Sequence, residues 1–244
     1  MRNLKLTLSY DGTEFYGWQT QPGFRTVQET LGEAYHKVTG EHVRINVSGR
    51  TDAGVHAVAQ VVNFHTQSQL DAPILMRAVN AYLPEDVHIH DAADMPEAFD
   101  ANLDAQRKLY RYVIQDGSHP NLFMRRYCCY CRTRLDIDAM RCGAKPLLGW
   151  HDFSSFETSG APRMSSRRTI TQLLLSRAGD YLWLDVEADG FLYNMVRAIA
   201  GTLINVGRGY WPAERVAEIL EACDRRQAGP TAPPQGLFLM RVTY

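Results

Sequence analysis

The chain has 244 residues, 45% hydrophobic and 22% charged, with 18 Gly and 11 Pro, which fits one or two compact domains and excludes a collagen-like, disordered or disulfide-stapled protein. No apolar run approaches the roughly 18 residues of a membrane span, and the strand-like start Met1-Arg2-Asn3-Leu4-Lys5-Leu6-Thr7-Leu8 is unlike a signal peptide. Net charge is −1, but residues 1–100 carry −6 and residues 101–244 carry +5, with 22 Arg against 4 Lys overall; an arginine-rich half is either a nucleic-acid face or a consequence of GC-rich coding.

Leu4, Leu6 and Leu8 alternate as a first strand. Thr26-Val27-Gln28-Glu29 reads as a capping box, and Val27, Leu31, Tyr35 and Val38 follow at helical spacing until Gly40. Val43, Ile45 and Val47 alternate as a second strand and Val58 to Thr66 as a third. Asp71 is placed to cap a helix through Ile74, Val79 and Tyr82 that ends at Pro84, and Val87 and Ile89 begin a fourth strand. The order is βαββαβ, the split βαβ plan.

The second half approximates the same plan. Tyr110, Tyr112 and Ile114 alternate in a strand, followed by another through Cys128, Cys129 and Cys131. Asp136 to Leu148 reads as a helix with an irregular end, because Gly143 and Pro146 interrupt it. Ile170 to Arg177 and Tyr181 to Glu187 form a hairpin around Gly179-Asp180. Phe191 to Val206 is a helix with a broad apolar face, Pro212 to Cys223 another, and Leu237 to Val242 a closing strand. The junction falls near Ala101–Gln106, so residues 1–103 and 104–244 are two domains. The expected class is α+β: two βαββαβ-like, ferredoxin-like domains with mixed, largely antiparallel sheets flanking a central cleft, where ligand sites are common. Five cysteines, an odd count with three crowded together, suit reduced thiols in a cytoplasm rather than a zinc site or disulfides.

Between the second and third strands lies Ser48-Gly49-Arg50-Thr51-Asp52-Ala53-Gly54-Val55-His56-Ala57. Gly49 and Gly54 permit unusual backbone angles and close approach by a ligand. Asp52 among small neighbours either points its carboxylate into a pocket or accepts backbone N–H groups in an ordinary turn. The string GRTDAGVHA closely resembles the catalytic loop of the TruA family of tRNA pseudouridine synthases. Tyr10-Asp11-Gly12 through Tyr16-Gly17-Trp18-Gln19, Arg107-Lys108-Leu109-Tyr110-Arg111-Tyr112, His151 to Phe156, Phe191-Leu192-Tyr193-Asn194-Met195-Val196-Arg197 and Gly236-Leu237-Phe238-Leu239 resemble further family segments in the same order. The resemblance covers essentially the whole chain.

It implies isomerisation of uridine to pseudouridine in the anticodon stem-loop of tRNA, at positions 38, 39 and 40, by a homodimer without cofactor or metal. It implies that Asp52 is the catalytic carboxylate, as nucleophile or base, with Arg197 as its ion-pair partner. Tyr110 is implied to stack on the flipped uracil and to help remove the C5 proton, the alternative being a cross-strand core aromatic on the face of Tyr112, and Arg50 to fill or brace the space the base leaves, the alternative being simple phosphate contact. Lys108 meets RNA phosphate or solvent; Thr51 and His56 shape the loop. Absence of a phosphate-binding or dinucleotide glycine motif agrees with a reaction that gains and loses no atoms. Arg125-Arg126, Arg132, Arg134, Arg163, Arg167-Arg168 and Arg225-Arg226 either track the RNA backbone or are solvated. Two other classes fit the same features: a non-catalytic RNA-binding module, and an N-glycosidase that releases free uracil.

Overall fold

A computed structural model describes residues 1–158 and 165–244; Arg163 lies outside the described residues. In chain order the elements are β1 (Arg2–Tyr10), α1 (Val27–Thr39), β2 (Asn46–Val47), β3 (His56–Thr66), α2 (Ala72–Asn80), β4 (Val87–Met95), β5 (Arg107–Asp116), β6 (Cys129–Cys131), α3 (Ile137–Ala144), β7 (Gly149–Asp152), β8 (Arg167–Ala178), β9 (Tyr181–Ala188), α4 (Met195–Gly207), α5 (Arg215–Ala222) and β10 (Leu237–Thr243). Contacts divide the chain into two compact units, Met1–Gln106 with Phe238–Tyr244, and Arg107–Leu237. Chain order assigned the closing strand to the second half; all of it beyond Leu237 belongs instead with the first unit. Among the described residues no helix is long and apolar enough to cross a membrane.

The first unit follows the βαββαβ order. Its central strand β1 runs antiparallel to both β3 and β4, and the alternation of Leu4, Leu6 and Leu8 leaves each at most 1% exposed. The far edge of β3 is shared: β10 lies parallel to its start, through Phe238 opposite His56, while β2 pairs with its middle. Tyr35 of α1 meets Phe64 of β3 edge-on at 4.8 Å, joining the helix to the sheet. The expected capping box is not made. Thr26 precedes α1 without a side-chain cap bond, and carbonyls of the preceding segment serve the helix instead, Gly17 for Val27 N–H and Trp18 for Gln28 N–H. Asp71 likewise precedes α2 without capping it through its side chain.

The second unit is a mixed, largely antiparallel sheet. β5 pairs antiparallel with β9, β9 forms the expected hairpin with β8, β8 pairs with β7, and the short β6 lies parallel to β5. Leu182, Leu184, Val186 and Ala188 of β9 alternate inward and are fully buried. β7 arises where a sequence motif but no strand was expected. The Asp136 carboxylate caps α3 by accepting from Asp138 and Ala139 N–H, and the helix gives way after Ala144 to a single 3-10 turn through Pro146. α4 begins four residues later than its apolar pattern suggests, because Asn194 adopts the left-handed conformation at φ 62° and breaks the helical run.

Candidate active site

Asp52 sits on a turn closed by Val55 N–H donating to the Asp52 carbonyl at 3.1 Å, with Gly54 at φ +76° in the position that favours glycine. A web of buried polar groups holds this turn to its surroundings. Gln60, fully buried on β3, donates through Nε2 to the Gly49 carbonyl at 2.8 Å and to Tyr10 Oη at 3.2 Å, while its Oε1 accepts from Ser48 Oγ at 2.7 Å. The same Tyr10 oxygen shares a hydrogen bond with Thr51 Oγ1, 2.7 Å away, in which either hydroxyl can donate. Burial pushes the Tyr10 pKa up to about 12, against the pull of these two bonds, so the phenol remains a donor at neutral pH.

The segment after β1 secures the same turn from the backbone. Trp18 N–H donates to the Thr51 carbonyl at 3.0 Å, and Gly54 N–H to the Phe15 carbonyl at 3.3 Å. His56 is 2% exposed and stacks on Phe238 at 4.6 Å. Its Nδ1 accepts from Gly12 N–H at 3.0 Å and lies 3.2 Å from an Asp11 carboxylate oxygen. Within this frame Asp52 is half-buried and Arg50 is exposed.

In the second unit, Lys108, Tyr110 and Tyr112 occupy one face of β5 by strand alternation. Tyr110 is 8% exposed and meets Phe191 edge-on at 5.0 Å. Burial, and then the charge of Arg168, push the Lys108 pKa down to about 8. Tyr112 is fully buried and donates to the Pro233 carbonyl at 2.7 Å. Arg197, in the first turn of α4, donates through Nε to the Ala232 carbonyl and through Nη1 to Asn194 Oδ1, both at 2.7 Å, while Ala232 N–H returns a bond to the Arg197 carbonyl at 3.1 Å. The chain around Ala232 can lie this close to α4 because position 201 is glycine: a Cβ there would stand 1.8 Å from the Pro230 carbonyl oxygen.

The candidate residues therefore divide between the units, Arg50 and Asp52 in the first, Lys108, Tyr110 and Arg197 in the second. Sequence reasoning missed the residues that hold them: Tyr10 and Gln60 behind Asp52, and Asn194 and Ala232 beside Arg197. A glutamine within the apolar run of β3 was the one visible signal. Several arginines of the basic clusters are engaged within the protein. Arg134 pairs with Asp116 and Asp180, Arg226 with Asp224, Arg225 donates to the Gly229 carbonyl, and Arg167 lies over the Trp150 ring at 4.5 Å. Cys128, Cys129 and Cys131 are buried free thiols, with Arg208 Nη2 at 3.6 Å from Cys131 Sγ.

The family model described as tRNA pseudouridine synthase matches residues 7–104 and 144–244. The chain is 44% identical to tRNA pseudouridine synthase A of Thermoanaerobacter sp. (strain X514) and 43% identical to tRNA pseudouridine synthase A 2 of Clostridium perfringens (strain 13 / Type A), each over 244 residues covering the whole of both proteins. It is 41% identical to tRNA pseudouridine synthase A of Acetivibrio thermocellus, again over the full length of both. The chain belongs to the tRNA pseudouridine synthase family, and is an enzyme of the isomerase class.

Proposed function

We propose that this enzyme converts uridine to pseudouridine in the anticodon stem-loop of tRNA, at positions 38, 39 and/or 40, with Asp52 as the reacting carboxylate. The observation that carries the reading is the contrast at Asp52: its turn is pinned by Gln60, Tyr10 and two backbone bonds, yet the residue is only half-buried. An acid on so restrained a backbone, with access to solvent, suits attack on a bound nucleotide. The reaction breaks the bond from uracil N1 to ribose C1′, turns the ring and joins C5 to C1′; the C5 proton leaves and N1 takes one up. Asp52 serves either as nucleophile, on the sugar or the ring, or as the base that removes the ribose 2′ proton.

A carboxylate enclosed with a base tends toward its neutral form, and a cation beside it opposes that tendency. Arg197 has this role in the reading, its guanidinium already oriented by Ala232 and Asn194. The uracil leaves its stack to reach the acid. Tyr110 then stacks on it and assists loss of the C5 proton, Arg50 braces the gap in the RNA, and Lys108 meets phosphate. The enzyme works without cofactor or metal, as a cytoplasmic homodimer in which one tRNA touches both subunits.

The test is incubation of the purified protein with unmodified tRNA, followed by carbodiimide labelling or tritium release from C5. Asp52→Asn is expected to abolish the signal and retain tRNA binding. Free uracil instead of isomer would establish a glycosidase, and binding without either product an RNA-binding module. An active Asp52→Asn enzyme would remove Asp52 from the chemistry.

A further inference from the structure

Asn194 is one of two non-glycine residues in the left-handed region among the described residues, the other being Cys223. Its position just before Met195 is the N-cap of α4, where an asparagine ordinarily sits in extended backbone and bonds the helix's own N–H groups. Neither holds. The backbone is at φ 62°, ψ 9°, and the side chain makes no cap bond. Its Oδ1 instead accepts from Arg197 Nη1 at 2.7 Å, and its Nδ2 donates to Thr158 Oγ1 at 3.1 Å. Because arginine has only donors, the amide can face it only through oxygen, and Thr158 receives the other end. The local structure thus forgoes a capping bond and accepts an uncommon backbone conformation at one residue, and what it obtains is a fixed guanidinium.

A second fixed contact adds to the hold. The Arg197 Nε–H reaches the Ala232 carbonyl, whose own chain is tied back to α4 through Ala232 N–H and the Arg197 carbonyl. Two acceptors at different edges of a planar fork set both its position and its plane. Removing the Ala232 contact would require moving the main chain, whereas removing the Asn194 contact requires one side chain.

We propose that Asn194 is a positioning residue for the reaction, holding the Arg197 guanidinium in register through its side-chain oxygen. The inference rests on the reading in which Arg197 serves Asp52. It assigns Asn194 no contact with RNA and no part in proton transfer.

Asn194→Gly and Asn194→Ala separate this role from a conformational one. Both lose the carboxamide, but glycine accepts the left-handed backbone freely and alanine does not. A purely conformational role predicts a normal Gly variant and a damaged Ala variant. Positioning predicts that both lose about tenfold in kcat, with KM for unmodified tRNA within about twofold, since an interaction used in turnover has been loosened and not one used in binding. It further predicts that the acid limb of kcat against pH moves to higher pH in Asn194→Gly, because a displaced guanidinium stabilises the carboxylate less. A Gly variant with wild-type kcat and pH profile, or one altered in KM alone, overturns the proposal. Asp52→Asn measured alongside keeps the two readings apart. If it is inactive while Asn194→Gly is normal, only the positioning role fails; if it is active, the assignment of Asp52 fails first.

Discussion

Replacing Tyr10 by Phe removes one oxygen from beneath the Asp52 turn and leaves the ring in place against Trp18, 6.2 Å between centroids. Two hydrogen bonds disappear, the one shared with Thr51 Oγ1 and the one accepted from Gln60 Nε2. Their losses differ in kind. Gln60 keeps the Gly49 carbonyl as a partner for the same nitrogen, whereas Tyr10 and Thr51 are 4% and 7% exposed, so water does not readily replace the missing phenol. At about 0.5–1.5 kcal/mol for each net bond, the variant should be about 1–3 kcal/mol less stable. Urea unfolding followed by tryptophan fluorescence reads this well, because Trp18 is the first unit's only tryptophan. Thr51→Val breaks the Tyr10–Thr51 bond from its other end, so the double variant should fall short of the sum of the singles by about 1 kcal/mol. A looser turn also misplaces the carboxylate, and an added barrier of about 1.4 kcal/mol appears as a tenfold loss of turnover at unchanged tRNA affinity. Strict additivity of the two substitutions, or a Tyr10→Phe enzyme of wild-type stability and rate, would refute the claim that this web holds Asp52.

Asp116 is fully buried, bridged by both terminal nitrogens of Arg177 at 2.9 Å and also bonded to Arg134 and Leu135 N–H. Asp116→Asn leaves the Arg177 charge without its counterpart and should cost about 3–5 kcal/mol in chemical denaturation; a change under 1 kcal/mol would contradict that account. Lys108, its pKa lowered to about 8, holds fewer protons folded than unfolded between that value and the ordinary 10.5 of a lysine, so its contribution to stability rises with pH across the window. Lys108→Met should accordingly be more stable than the wild type at pH 7, with the difference shrinking as pH rises past 8. In filter binding the wild-type affinity for tRNA should weaken through the same pH range and that of Lys108→Met should not. A parallel decline in both proteins would take Lys108 away from the phosphate.

Patterns confined to neighbouring residues were legible without coordinates. The inward alternation in β1 and β9, the helical spacing in α1, the hairpin at Gly179 and the order of elements in the first unit all follow from side-chain periodicity against one buried face. The loop bearing Asp52 was legible too, through the string of residues around it. What escaped were choices made between distant parts of the chain. Thr26 carries the letters of a capping box, but the returning backbone at Gly17 and Trp18 takes the place of its side chain. Asn194 carries the letters of an N-cap, but Thr158 and Arg197 compete successfully for its amide. β10 ends a sequence whose second half precedes it, yet it pairs with β3 of the first unit. A short polar side chain can satisfy its hydrogen bonds in several local ways of similar energy, and a strand can pair at any open edge. Only the arrival of a specific distant partner selects among them, and that is settled when the chain closes on itself.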